Sequence, residues 1–157
     1  MRLVIQRVRN ASVAVDGRSP EGGGPAASIG PGAVVLVGVA AGDTAEDVRY
    51  LARKTSQLRI FADEQDRLNL AIDAVKGSFL VVSQFTLYAD CSGGNRPSYI
   101  EAAKPEEARR LYEDFANELR RLGHPVQTGV FGGRMLVELA NDGPVTIILE
   151  SRGRTAG

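Results

Sequence analysis

Hydrophobic positions along the chain repeat with two different periods. Eight short segments are rich in Val and Ile and are bounded by Gly, Pro or polar positions, which predicts strands. They are Leu3–Val8, Ser12–Val15, Ala33–Val39, Arg59–Phe61, Phe79–Val82, Val126–Val130, Met135–Leu139 and Val145–Leu149. Strands therefore make up most of the predicted structure.

Two other segments have the spacing of amphipathic helices. The first covers about residues 44–58, and Asp43 and Glu46 at its start are spaced like a capping pair. The second begins at Pro105, a favoured first-turn residue, and ends at Gly123. Two helices among so many strands predict an α+β fold, with a mixed or antiparallel sheet curled into a barrel-like core.

The stretch Gly17–Gly32 interrupts these patterns. It is too rich in Gly and Pro to pack, and it predicts a long mobile loop, taken here as residues 18–28, between two strands. Residues 151–157 are expected to form a frayed tail. A chain of 157 residues is expected to form a single domain over residues 1–157.

Composition and charge remove several classes of function. The 19 basic and 19 acidic residues balance, which argues against bulk, salt-driven binding of nucleic acid. One cysteine (Cys91) and one histidine (His124) cannot supply an intramolecular disulfide or a zinc site, so we expect no metal site. His124 follows a helix end and is interpreted as a capping or surface residue. Because no apolar run reaches membrane-spanning length, we expect a cytoplasmic protein without membrane contact.

Candidate chemistry is concentrated in two short segments. Ser83, Gln84 and Thr86 follow directly on an apolar strand, as polar groups at binding sites often do, although a buried strand with satisfied hydroxyls explains the pattern equally well. The segment Asn141–Thr146 is interpreted most simply as a turn between two strands, with Pro144 removing one ladder bond. A Gly-Pro peptide can also be cis.

Together these two segments resemble the D-aminoacyl-tRNA deacylase family, whose motifs S-Q-F-T-L and N-x-G-P-V-T occur at Ser83–Leu87 and Asn141–Thr146. The likeness extends over nearly the whole chain, and it departs at the long loop and at Gly133 and Arg134. The resemblance implies a cofactor-free homodimer with a barrel-like fold. It also implies a hydrolase that cleaves the ester between a D-amino acid and the 3′ terminal adenosine of tRNA, for proofreading, with glycyl-tRNA also accepted.

The resemblance also suggests roles for individual residues. Gly143 and Pro144, joined by a cis peptide, would reach into the partner subunit's site as a chirality filter, with Arg7 holding this segment through hydrogen bonds to carbonyls. Met135 is a further substrate-binding candidate. Rigid main-chain carbonyls can take the substrate's α-ammonium and fill the space that an L side chain needs, whereas a D side chain points outward.

The catalytic candidates lie in the first motif. They are Ser83, Gln84, Phe85 and Thr86. An activated ester needs an oxyanion site and a positioned water more than a strong nucleophile, and main-chain N–H groups near Phe85 and Thr86 are the candidate donors. Because the motif holds no His or Lys to activate Thr86, we favour attack by water, assisted by the ribose 2′-hydroxyl, over a covalent intermediate on Thr86.

Two alternatives remain. A sister deacylase acting on L-Ala or Gly mischarged onto tRNA has a similar sequence, although Phe85 and Val145 favour the D-specific branch. A non-enzymatic RNA-binding barrel is the other, but the aromatic residues are only 6% of the chain and show no stacking pattern.

Overall fold

The computed structural model describes residues 1–15 and 27–152 of the chain. The strands are β1 (Arg2–Val15), β2 (Ala27–Ile29), β3 (Gly32–Gly38), β4 (Phe61–Ala62), β5 (Leu68–Leu70), β6 (Ser78–Ser83), β7 (Val126–Thr128) and β8 (Met135–Glu150). The helices are α1 (Ala45–Ser56), α2 (Pro105–Arg121) and two 3₁₀ helices, Ile72–Val75 and Phe85–Tyr88.

Six strands form one mixed sheet, in which β1 is the common neighbour. β1 pairs antiparallel with β2, β3 and β8, whereas β3, β6 and β7 run parallel to one another. β4 and β5 form a separate antiparallel pair. With two helices and a nearly closed, barrel-like sheet, the architecture confirms the predicted α+β class.

Two apolar clusters occupy the two faces of the sheet. The larger packs α1 and α2 against one face and contains Phe79 and Phe115, whereas the smaller, on the other face, contains Val34 and Leu80. Because successive side chains of a strand point to opposite faces, β3 and β6 bury both of their faces. This explains why they appear in the sequence as continuous apolar runs rather than alternating ones.

The start of α1 differs from the prediction by one residue. The N-cap is Thr44, whose backbone N–H donates to Asp47 Oδ2 at 2.8 Å. Asp43 is buried instead, with Oδ2 2.7 Å from the α-ammonium of Met1. Burial lowers the pKa of that ammonium. The pairing of Asp43 with Glu46 was wrong because Asp43 pairs with the α-ammonium of Met1, which is distant in sequence, and local spacing cannot reveal such a contact.

β1 and β8 each join two of the predicted strands. The register between them shifts at Gln6, Val8 and Ala11, so the polar residues between the apolar runs lie in bulges and not in turns. The interpretation of Asn141–Thr146 as a turn is therefore wrong, since the segment lies inside β8.

The structure describes only a few residues of the predicted loop and of the predicted tail. Ala27 and Ser28 pair with β1 as part of β2, so the loop prediction was wrong there. Ser151 is 2% exposed and accepts a hydrogen bond from the Met1 ammonium, so it is not frayed. The remainder of both predictions, residues 18–26 and 153–157, lies outside the described residues. No helix within the described ranges is both long and apolar enough to cross a membrane.

Candidate active site

A cavity of about 690 Å³ opens where β6 ends and α2 begins. Its walls come from β3, β6, the first turns of α2 and the segment that leads into β8, and most of them are apolar. Six of the residues that line it are Ser83, Gln84, Phe85, Tyr99, Phe131 and Met135. A mainly apolar cavity of this size with a few polar groups at one end is typical of a small-molecule site.

The 3₁₀ helix Phe85–Tyr88, called the Phe85 turn below, forms one edge of this cavity. The backbone N–H of Gln84 donates to Val37 O at 2.8 Å, which continues the parallel pairing of β3 and β6 by one more bond. Leu87 N then donates back to Gln84 O at 3.2 Å and closes the turn. The polar run thus begins where the buried strand stops, because the chain has to turn away from β3 at that point.

The side chains of this turn are arranged in a definite way. Phe85 is 56% exposed and meets the Tyr99 ring edge-on, with 5.0 Å between centroids. The Gln84 side-chain amide donates to Thr86 Oγ1. The Thr86 hydroxyl therefore has its own proton free to donate, and its described partner is an amide and not a base.

Aromatic residues that the sequence analysis did not single out support the opposite wall. Tyr112, on α2, lies in the apolar stripe of its helix, and its hydroxyl donates to Val81 O at 2.8 Å. Burial raises its pKa to about 12. Phe131 packs against Tyr112 and lies under the Arg109 guanidinium, 5.1 Å from the ring centroid. Residues 128–132 share the likeness to the family, but no spacing in the sequence places Phe131 opposite Phe85.

The second motif, Asn141–Thr146, is called the Gly143 segment below, and it occupies a bulge between β8 and β1. Arg7 on β1 donates from Nε to Asp142 O at 3.0 Å and from Nη1 to Ile60 O at 2.8 Å. Its side chain is only 12% exposed. Inside the segment, Val145 N donates to Asn141 Oδ1 at 3.1 Å. These bonds fix the backbone that flanks Gly143.

Gly143 itself cannot be replaced without a rearrangement. Its φ of +126° is a conformation that L side chains rarely adopt, and a Cβ would lie 2.9 Å from Arg7 Nη2. The Gly143–Pro144 peptide is cis, and both residues are exposed. Glycine is therefore required at this position on steric grounds alone.

The structure separates the predicted site residues into two groups. Ser83, Gln84, Phe85 and Met135 line the cavity, and Thr86 is joined to them through Gln84. The other group consists of Arg7, Gly143 and Pro144, which are not among the described residues that line it. Within one chain the two motifs therefore do not line the same described cavity.

The residues set aside by the sequence analysis lie elsewhere. His124 is 6% exposed, so its interpretation as a surface residue is wrong. Its Nδ1 lies 3.0 Å from Asp73 Oδ1, and its ring meets Phe79 edge-on. Cys91 is exposed. Among residues 1–15 and 27–152, no three His, Cys, Asp or Glu side chains are grouped so that they could hold a metal ion.

By its fold and its cavity, the chain is a barrel-like α+β protein with a mainly apolar pocket beside a short polar turn. The chain belongs to the family described as D-Tyr-tRNA(Tyr) deacylase, whose sequence profile matches residues 4–150. This confirms the family indicated by the two motifs, and with it the prediction of a hydrolase that acts on aminoacyl-tRNA esters.

Individual relatives agree with this assignment. The chain is 54% identical to the D-aminoacyl-tRNA deacylase of Desulforamulus reducens, covering 97% of this chain and 98% of the relative. It is 55% identical to the D-aminoacyl-tRNA deacylase of Thermomicrobium roseum, covering 96% of this chain and 94% of the relative.

Two solved structures share the fold. One, titled c-Myc DNA Unwinding Element Binding Protein, aligns with a TM-score of 0.84 at 38% identity, covering 96% of this chain and 98% of the other. The second, titled as a probable eukaryotic D-amino acid tRNA deacylase, has a TM-score of 0.79 at 16% identity and covers 94% of this chain and 97% of the other. At that identity the second structure supports the fold alone.

Proposed function

We propose that this protein hydrolyses the ester bond of D-aminoacyl-tRNA, and of glycyl-tRNA, in the cytoplasm as a proofreading step. The products are the free amino acid and tRNA, and no metal or organic cofactor takes part. The observation that carries the proposal is the position of the S-Q-F-T-L motif, since Ser83, Gln84 and Phe85 line a mainly apolar cavity of about 690 Å³ in a chain of this family.

The cavity receives the 3′ terminal adenosine of the tRNA. Its volume of about 690 Å³ and its apolar lining suit a nucleoside, and the ring of Phe85 is 56% exposed inside it. Aromatic faces bind bases by stacking, worth about 1–3 kcal/mol for each base. The adenine packs near Phe85, while Ser83 and Gln84 position the ester and Met135 contacts the substrate from the opposite wall.

Chirality is sensed by the Gly143 segment of a second copy of the chain. Its carbonyls accept hydrogen bonds from the α-ammonium and fill the space that an L side chain needs. A D side chain points outward, so the site does not distinguish one D side chain from another. Two observations support a contribution from a partner: Gly143 and Pro144 are exposed, and they do not line the cavity of their own chain. Arg7 holds the segment through its bond to Asp142 O.

The interface of this homodimer lies along β8. Two large apolar side chains of that strand face outward, Leu136 at 57% exposure and Ile148 at 63%. They lie on either side of the Gly143 segment, at opposite ends of β8. An interface centred on the Gly143 segment would cover the exposed apolar side chain on each side of it.

Hydrolysis proceeds by attack of water, assisted by the substrate's ribose 2′-hydroxyl. The N–H groups of Phe85 and Thr86 are the first of the turn, have no acceptor within it, and stabilise the developing oxyanion. The Thr86 hydroxyl positions the substrate and is not the nucleophile. Its bond from the Gln84 amide supports that role, because an amide cannot remove the hydroxyl proton.

The test compares D-Tyr-tRNA with L-Tyr-tRNA as substrates of the purified protein, each with and without a chelator. We expect cleavage of the D ester alone, unchanged by the chelator. If neither ester is cleaved by folded protein, the D-specific function is excluded. Cleavage of L-Ala-tRNA in the same assay would then point to the sister deacylase.

A second candidate, nucleic-acid binding without hydrolysis, is favoured by one observation. The solved structure at 38% identity is named as a DNA-unwinding-element binding protein. The net charge of zero speaks against bulk binding of nucleic acid. Salt-dependent binding of tRNA or duplex DNA with no turnover of any ester would support this candidate over the deacylase.

A further inference from the structure

The first residue of β1 lies directly beneath the Phe85 turn. Arg2 is the register partner of Gly38 on β3 and of Glu150 on β8, and residues opposite one another in a sheet point to the same face. A Cβ on Gly38 would lie 3.0 Å from Leu87 Cβ and 3.2 Å from Tyr88 Cε2. The turn therefore packs on this face, in the space that the missing side chain of Gly38 leaves open.

Arg2 contacts the turn in two ways. Its Nη1 donates to Leu87 O at 2.7 Å, and its guanidinium lies 5.0 Å from the centroid of the Tyr88 ring. Leu87 O is one of the last carbonyls of the turn, and such carbonyls have no donor inside their own helix. A charged donor gives a hydrogen bond about twice as strong as a neutral one, and a cation over an aromatic face adds to it.

We infer that Arg2 is a positioning residue for the proposed reaction: it fixes the carboxyl end of the Phe85 turn and thereby the placement of Phe85 and Thr86. Gln84 N fixes the other end through Val37 O. Arg2 is not among the described residues that line the cavity, so it acts through the turn and not on the substrate. The inference rests on the proposed function for its effect on turnover, but the effect on the turn does not depend on it.

The experiment measures the same variants in two ways. Arg2→Met keeps much of the aliphatic stem and removes the charge and the donors, while Arg2→Lys keeps the charge and an N–H donor group but loses the planar guanidinium. Arg121→Met is the matched control, because it removes a surface guanidinium paired with Glu118, far from the turn in sequence and with no described contact to it.

Hydrogen exchange of the Leu87 and Ala89 amides reports on the turn. These amides donate to Gln84 O and Thr86 O and close the turn. We expect Arg2→Met to speed their exchange about tenfold while the amides of α2 keep wild-type rates, with Arg2→Lys in between and Arg121→Met unchanged. Wild-type exchange at both amides in Arg2→Met, or a uniform increase that includes α2, would overturn the inference.

Turnover of D-Tyr-tRNA, measured well below the melting temperature of each variant, completes the test. We expect Arg2→Met to lower kcat about tenfold with little change in KM, and Arg2→Lys to recover part of the loss. A loss confined to KM that depends on salt would identify Arg2 as an RNA contact and overturn the positioning role. If wild-type protein cleaves no ester, the proposed function fails, and the exchange data alone decide whether Arg2 holds the turn.

Discussion

The Phe85 turn and the Gly143 segment differ in how much of their surroundings one chain provides. The Phe85 turn is bonded to β3, contacted by Arg2 and packed on Gly38, and it faces a cavity that the same chain encloses. The Gly143 segment is anchored from beneath by Arg7, but Gly143 and Pro144 are exposed. One chain thus encloses the cavity beside the Phe85 turn by itself, whereas the Gly143 segment, which we propose discriminates between substrates, is presented outward.

The largest effect is expected from Gly143→Ala. The new Cβ meets Arg7 Nη2 and Val145 Cγ2, each at 2.9 Å, so the segment has to shift. We expect kcat/KM for D-Tyr-tRNA to fall about 100-fold, as a displacement of about 1 Å in a positioning group can cause. Binding of an adenosine-terminated analogue to the cavity is expected to be unchanged, because the two regions are separate within a chain.

The control for this variant is Gly30→Ala, whose Cβ would meet no atom within 4 Å. It is expected to retain wild-type activity. Mixing Gly143→Ala with Phe85→Ala then tests whether the site is shared between subunits. Random exchange of subunits makes roughly half of the dimers mixed, each with one intact site, so roughly a quarter of the wild-type activity should return. No recovery in mixed dimers would show that each chain uses its own Gly143.

A somewhat smaller effect is expected when the outward face of β8 is made acidic. Leu136→Glu with Ile148→Glu places charges in the proposed interface, and we expect a monomer that retains the cavity but cleaves D-Tyr-tRNA at least about tenfold more slowly. Leu68→Glu, the same change at a 53% exposed position on β5, is the control. Sedimentation at several concentrations measures the oligomer. A monomer with full activity would refute the partner's role.

The two regions also differ in how far sequence reasoning reaches them. The stripe of α2 and its Pro and Gly boundaries are local, and the predicted helix agrees with Pro105–Arg121 at its start and to within two residues at its end. Strands β2 and β5 were missed, since three-residue strands exist only because a partner is present. The Gly143 segment was interpreted as a turn because its pairing with β1 includes a bulge, and no local sequence pattern predicts that bulge.

The cavity illustrates a second limit. Tyr112 belongs to the apolar stripe of α2, yet one side of it also lines the cavity. A periodic pattern identifies the buried face of a helix but not which buried residues border an empty space. The two motifs stand out by their local residue pattern, but the roles of their residues came from the family resemblance. Physical reasoning alone left Ser83 and Gln84 evenly divided between a site and a buried strand with satisfied hydroxyls.

Thr86→Ala is expected to have a moderate effect, and it sharpens the account of the Phe85 turn. Losing one hydrogen bond from a positioning group costs about 1–1.5 kcal/mol, so kcat should fall about tenfold. Thr86→Ser, which keeps the hydroxyl, should be close to wild type. Rapid-quench measurement of single turnovers distinguishes the mechanisms, because a covalent role for Thr86 predicts complete loss in Thr86→Ala and an acyl-enzyme that can be trapped in wild type.

The smallest effect concerns the free energy of unfolding. It tests whether Tyr88 and Tyr112 are as well shielded from water as their burial indicates. Burial raises the pKa values of Tyr88 and Tyr112 to about 12 in the folded chain, against 10.0 for an ordinary tyrosine. Between pH 10 and 12 the unfolded chain releases these protons and the folded chain keeps them. Stability is therefore fully present below pH 10 and is lost as the pH rises toward 12, by at most about 1.4 kcal/mol per pH unit for each tyrosine.

Tyr112→Phe separates the two tyrosines. It removes the hydrogen bond to Val81 O, so the free energy of unfolding at neutral pH should fall by about 1 kcal/mol. It also removes one of the two raised groups, so the decline above pH 10 should be about half as steep. Urea unfolding at a series of alkaline pH values measures both quantities, with tyrosinate absorbance as the direct record of ionisation. If all tyrosines of the folded protein ionise together near pH 10, Tyr112 is open to water and the wall behind Phe131 is looser than the packing described above.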